Sequence, residues 1–490
     1  MRLADLVIEA RRGATVGELA AAALDAGVLS VELARELGGT HPQFLDALAP
    51  PCRLLGGLSR VVRHDQAQVL PAGLVNDLAA GALGRGLEGL QDVGELPVAA
   101  PRHGQDELQR LAVGQGDAAQ LLDVVQRQQT AVEPYAFPRD VGFMLNAALG
   151  RGAEVHWHLR GLQQMAVPLL KYFHNSRAQS HARATLAYSQ LIAHATEEHA
   201  PLIEAAGAED LVRRDGFRFV FRSARAFDDA LIRARDLQAR FGVRHAPEDG
   251  AALARTEPAL RLRLAGAVHW LDPWAIRDPG ALVQRYAALF VARGGRILLG
   301  DAATLQPAGA GWSVLCEAGR IDAGQAVLAT GPWADGLIRK LGYRYPLFLK
   351  RGYHQHYPSA AVDLPLLDAE RGYVLAPMRR GLRLTTGAEF APIDAAPTPI
   401  QLAKAEALAR ELVDLGSALP EPPWHGARPC TADMLPVTGP APRHSGLWFN
   451  FGHAHQGFTL GPVAGRLLAE MAADERGWID PTPYLPTRWH

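Results

Sequence analysis

Hydrophobic positions follow two periods along this chain, and the switches between them outline its elements. Apolar residues at helical spacing run through residues 157–173 and Ala178–Ala205, where Leu186, Leu191, Ile192 and Leu202 are separated by polar positions. Gly207 then suits a helix stop. Phe217–Phe221 alternates and predicts a strand, and Ala224–Phe241 returns to the helical period. Residues 267–270 predict a strand ended by Asp272 and Pro273. Asp278 and Pro279 make a helix start, with Asp at the N-cap and Pro in the first turn, and Gly294 and Gly295 end that helix. Residues 296–299 predict a strand, 312–316 with 319–321 a hairpin, and 325–331 a buried strand closing on Ala329, Thr330 and Gly331. Residues 350–357 alternate, 373–377 and 382–390 predict a hairpin around Gly381, and 402–415 form an amphipathic packing helix. Near the end a short strand, Leu447–Phe451, runs into a turn rich in glycine and histidine. From Phe458, Leu460, Val463, Leu467, Leu468 and Met471 recur at helical spacing.

That last arrangement has a chemical consequence. A strand, a glycine turn and a helix start expose unpaired backbone N–H groups at a positive dipole end, which suits a group that becomes anionic. Gly457, Gly461 and Gly465 lie four apart, a spacing that also fits close helix packing.

Composition narrows the classes. The 490 residues suffice for two domains. A net charge of −1 gives no electrostatic footprint for nucleic acid. Cys52, Cys316 and Cys430 form no CxxC and no metal-ligand cluster, so a reducing cytosol and no metal are expected. His174, His181, His194 and His199 show no ligand-like pairing with carboxylates and are expected to be surface or structural. No apolar run approaches the roughly 20 residues that span a bilayer, and acidic residues interrupt the start, which does not read as a signal peptide. Residues 1–133 differ from the rest: they hold no Lys, Trp or Tyr, and Phe44 is their one phenylalanine.

The C-terminal third carries two ordered motifs. The first is Arg428-Pro429-Cys430-Thr431-Ala432-Asp433-Met434-Leu435-Pro436-Val437-Thr438-Gly439. The second is Gly452-His453-Ala454-His455-Gln456-Gly457-Phe458-Thr459-Leu460-Gly461-Pro462. Together they resemble the signature of the D-amino-acid oxidase (DAO) family of flavoproteins, with the His-Ala-His turn most similar to its D-amino-acid dehydrogenase branch. The resemblance covers about residues 135–490. It implies an α/β (α+β) fold with an FAD-binding dinucleotide domain and a mixed-sheet substrate domain. Residues 134–277 and 346–428 would form the substrate domain, 278–345 and 429–475 the FAD-binding segments, and 476–490 a tail.

A protein of this family should open on a strand running into G-x-G-x-x-G, where the backbone approaches the FAD pyrophosphate. None lies near Met1. The one literal match, Gly84-Arg85-Gly86-Leu87-Glu88-Gly89, follows no β-branched strand and meets Gly94 and Pro97 before a helix can form. Leu6-Val7-Ile8-Glu9 has no glycine turn before it. Residues 1–133 are a non-native reading of GC-rich DNA, a replacement domain or an unfamiliar dinucleotide-binding sequence. The abrupt change in composition favours the first.

The resemblance implies oxidation of a D-amino acid by hydride transfer from Cα to FAD, giving a 2-oxo acid and ammonia. Arg428 matches the family's substrate arginine and would clamp the carboxylate bidentately. His455 and Tyr353 are the other candidate catalytic residues, and His354 could also face the substrate. Ala329, Thr330, Gly331, Gly452, His453, Gly457, Phe458 and Thr459 are the candidate cofactor contacts, the last three donating backbone N–H groups to the flavin's pyrimidine edge. The dehydrogenase branch implies a quinone or respiratory-chain acceptor and a cytoplasmic enzyme held peripherally on the inner face of the plasma membrane. The alternatives are a glycine- or sarcosine-type oxidase using oxygen, and a degenerate, non-enzymatic protein without FAD.

Overall fold

The computed structural model describes residues 132–139, 155–359, 362–475 and 477–489, with Val124, Val125, Met144 and Ala147 besides. The expectations for residues 1–123, including the match at Gly84 to Gly89 and Cys52, lie outside the described residues.

In chain order, β1 (Val155–Trp157) leads into α1 (Leu159–Asn175) and α2 (Ala178–Ala205). Next come β2 (Phe217–Phe221), α3 (Ala224–Phe241), β3 (His245–Asp249), β4 (Gly266–Trp270) and α4 (Pro279–Ala292). β5 (Gly300–Ala308), β6 (Gly311–Cys316) and β7 (Gly319–Ala323) make an antiparallel meander, and β8 (Ala326–Leu328) follows. The chain continues through β9 (Leu347–Tyr357), β10 (Leu366–Asp368), β11 (Tyr373–Met378), β12 (Gly381–Thr385) and β13 (Ala388–Phe390) to α5 (Ile400–Leu412). It ends with β14 (Trp424–Thr431), β15 (Val437–Pro440), β16 (Leu447–Phe451) and α6 (Gly457–Ala472).

Two of the helix starts carry side-chain caps. Ser223 and Asp278 accept from the backbone N–H groups of Ala226 and Ala281 at the starts of α3 and α4. Gly242 closes α3 with φ +70°, a conformation glycine adopts without steric penalty. Gly207 stands just past α2 with φ +60°. Two expectations fail. Leu186 points to solvent, 62% exposed, because Thr185, Tyr188, Leu191 and Ile192 carry the buried face of α2. Residues 296–299 are irregular and the strand begins at Gly300. That run is held by single bonds to Glu317, whose N–H donates to the Leu299 carbonyl at 2.8 Å.

The fold mixes helices and sheets. A ten-stranded mixed sheet runs β1-β13-β9-β12-β11-β10-β2-β4-β3, with β14 paired to the other edge of β9. All its strands come from residues 155–270 and 347–431. A second sheet, β8-β16-β15, places β8 parallel to β16, with Ala326 opposite Leu447 and Leu328 opposite Phe449. The apolar face of α6 (Leu460, Val463, Leu467) packs with Tyr188, Leu191 and Ile192 of α2, which joins the C-terminal helix to the helical layer. Among the described residues no helix is long and apolar enough to cross a membrane.

Candidate functional site

β9 and β14 set Lys350 directly opposite Arg428 in an antiparallel ladder, so both side chains leave the same face. That face borders a cavity of about 540 Å³. One end of it is polar, with Arg428, Lys350, His455, Tyr135 and Cys430. The rest is largely apolar, with Phe217, Phe219, Leu367 and Val374 from β2, β10 and β11.

Arg428 is buried at 5% exposure. Its guanidinium crosses Gly352, where a Cβ would stand 2.0 Å from Nη2. Nη1 donates to the Gly387 carbonyl at 3.2 Å. The missing side chain at Gly352 therefore makes the space for the arginine. His455 lies in the turn between β16 and α6, with its ring 4.5 Å from that of Tyr135. Burial, with the Arg428 and Lys350 charges, holds its imidazole well below the ordinary histidine range, so it is neutral at pH 7. Burial also raises the Tyr135 phenol and the Cys430 thiol, which keeps both protonated beside the cations.

Tyr353 and His354 are placed elsewhere. Strand alternation turns Tyr353 to the opposite face of β9 from Lys350 and Gly352. It is 1% exposed and its hydroxyl donates to Glu389 at 2.7 Å while accepting from Thr398 N–H at 2.8 Å. Arg351 Nε donates to the same Glu389 at 2.8 Å. Burial raises the Glu389 carboxyl, but bonds from Thr398 and Tyr353 and the Arg351 charge outweigh it and hold it low. Tyr353 belongs to this buried network and does not line the cavity. His354 stacks on Trp424.

The candidate cofactor contacts gather at the carboxyl ends of the parallel pair β8 and β16. Ala329 and Thr330 follow β8, and Gly331 opens a short turn with φ +51°. Gly452 and His453 follow β16, and Gly457, Phe458 and Thr459 form the first turn of α6, which has no side-chain cap. The outer carboxyl ends of parallel strands, with a helix N-terminus, are where open α/β sheets take dinucleotides. Thr330 Oγ1 and His453 Nε2 are buried there without a hydrogen-bond partner among the described residues. Burial lowers His453 to about 4. Unsatisfied buried polar atoms call for a ligand or water, and these fit FAD.

His194 and His199 take surface and structural places, as expected of them. His194 does pair with a carboxylate, Glu197 at 2.8 Å, on the surface. His199 is buried: Nε2 donates to the Phe458 carbonyl at 3.1 Å and Nδ1 accepts from Tyr286 at 3.0 Å, with a pKa lowered to about 4 by burial. His156, His158 and Glu389 bring potential metal ligands within 4.8 Å of one another. Arg351, Tyr353 and Thr398 already engage that carboxylate. Lys350 and Tyr135 were missed as site residues. Lysine is scarce in this chain, which has four, and Lys350 directly precedes the Arg-Gly-Tyr of β9.

A family model described as FAD dependent oxidoreductase, DAO, matches residues 144–471. The chain belongs to the DAO family. It is 29% identical to a D-amino-acid oxidase of Bradyrhizobium diazoefficiens over 66% of this chain and 78% of that protein. It is 31% identical to a D-amino acid dehydrogenase of Paramagnetospirillum magneticum over 53% of this chain and 63% of that one. The crystal structure of glycine oxidase from Geobacillus kaustophilus shares the fold, with TM-score 0.54 and 22% identity over 62% of this chain and 83% of that one. As a DAO-family protein it is an FAD-dependent oxidoreductase.

Proposed function

We propose that this DAO-family protein oxidises a D-amino acid to its imine, which water converts to a 2-oxo acid and ammonia. The observation that carries this reading is the Arg428 guanidinium laid across Gly352 into a cavity otherwise largely apolar. Guanidinium binds a carboxylate through two parallel N–H bonds and so fixes orientation as well as position. Residues 134–277 and 346–428 form the substrate half; the ten-stranded sheet, drawn almost wholly from them, supports this. Residues 278–345 and 429–475 form the FAD half, supported by the parallel ends of β8 and β16.

FAD, when bound, would supply the acceptor for a hydride leaving Cα. Ala329, Thr330, Gly331, Gly452, His453, Gly457, Phe458 and Thr459 would hold it. The chain's own residues do the rest. Arg428 holds the α-carboxylate and so limits which bond at Cα can be presented. The amine must be neutral for its lone pair to assist hydride loss, and a neutral His455 adds no positive charge and can accept a hydrogen bond from it. The apolar walls from β2, β10 and β11 exclude water from the reacting carbon. On this reading the electron acceptor is a quinone or another respiratory-chain component; that one relative is a D-amino acid dehydrogenase supports an acceptor other than oxygen.

The test is a product assay on the purified full-length protein, with D- and L-amino acids and a soluble quinone analogue. Formation of 2-oxo acid and ammonia from D-amino acids alone supports the reading. No product from any amino acid, with FAD present, contradicts it. Product formed with stoichiometric oxygen uptake and without the quinone would replace the dehydrogenase with an oxidase.

A further inference from the structure

Two cations face the cavity, and among the described residues no aspartate or glutamate lines it. Arg428 and Lys350 start opposite each other, but their side chains diverge. The Arg428 guanidinium lies over Gly352. Lys350 Nζ lies 4.8 Å from the centre of the Tyr172 ring and 5.5 Å from that of Phe348. The two side chains lean in opposite directions along β9, Arg428 toward Gly352 and Lys350 toward Phe348, so each presents its charge at a different point of the cavity wall.

We propose that the cavity takes a D-amino acid carrying a second carboxylate, and that Lys350 selects it. The inference rests on the amino-acid reading above. Arg428 would take the α-carboxylate and Lys350 the side-chain carboxylate, so that one dicarboxylic substrate engages both. The aromatic faces of Tyr172 and Phe348 hold the ammonium without neutralising it. Its charged neighbours repeat the point: Arg428 is a cation, and Cys430 and Tyr135 are held protonated by burial. A cation turned to a cavity without a counter-charge is costly, and burial pulls the Lys350 pKa below the ordinary lysine value. A second carboxylate supplies the missing partner. A neutral D-amino acid would leave Lys350 uncompensated while its own side chain met an ammonium.

Calorimetric titration of the full-length protein with glutarate and butyrate tests this, because the two differ in the second carboxylate and neither is oxidised. Glutarate should bind at least about tenfold more tightly, the size of one charge-assisted hydrogen bond. Lys350→Met should bring the ratio to about one, and Lys350→Arg should restore the preference. Lys350→Met weakening both ligands equally, or leaving the ratio intact, overturns the inference. Butyrate binding as tightly as glutarate in the unaltered protein overturns it and leaves the amino-acid reading standing. No binding of either ligand overturns both.

Discussion

The Nη2 atom of Arg428 lies 2.0 Å from the point where a side chain at Gly352 would begin. No Cβ fits at that distance, so the strand residue and the arginine are matched parts of one site. Gly352→Ala should push the guanidinium aside. The obstacle is the far end of a flexible side chain, so the protein should still fold. The expected outcome is a normal circular dichroism spectrum with kcat/KM for the D-amino acid reduced at least about tenfold, the scale of one lost charge-assisted bond. Unchanged kinetics would separate Arg428 from the substrate.

Arg428→Ala removes the clamp itself. It should raise KM and lower kcat/KM strongly, about 100-fold or more where a bidentate pair is lost. Arg428→Lys should recover only part of this, because an ammonium supplies a charge without the planar fork. Steady-state kinetics of both variants against the unaltered protein make the check.

Tyr353→Phe should behave in the opposite way. Its hydroxyl is bound inside the Glu389 network and does not line the cavity. Removing it leaves a buried carboxylate short of a donor, costing about 1–3 kcal/mol of stability. Urea unfolding should show that loss, while KM stays within about twofold. A large KM effect with intact stability would return Tyr353 to the substrate.

These contrasts show what the sequence could and could not carry. Local signals were sufficient for α2, α3, β2 and β16, whose apolar period marks them. The two C-terminal motifs pointed to the family without help from the fold. The facing of side chains across β9 was not legible, because it depends on the pairing of Lys350 with Arg428, 78 residues away in sequence. Tyr353 looked like a substrate residue for the same reason: alternation says it opposes Gly352, but only the pairing says which face borders the cavity. Lys350 carried no motif, so only the assembled sheet brings it to Arg428.

Protonation gives a fourth expectation. Burial lowers His199 and His453 to about 4, against an unfolded value of about 6.5. Between those values the unfolded chain binds more protons than the folded one, so stability falls as pH falls. It should be flat above pH 6.5 and decline progressively toward pH 4. Chemical denaturation at stepped pH tests the slope, and stability rising on acidification through this window would contradict it.

The most direct measurement is the visible absorption spectrum of the purified full-length protein supplied with FAD, before and after anaerobic addition of D-amino acids. The expected result is a bound-flavin spectrum that bleaches with D-amino acids and not with their L-forms. A bound flavin that no amino acid bleaches, or a protein that binds no flavin at all, would contradict it.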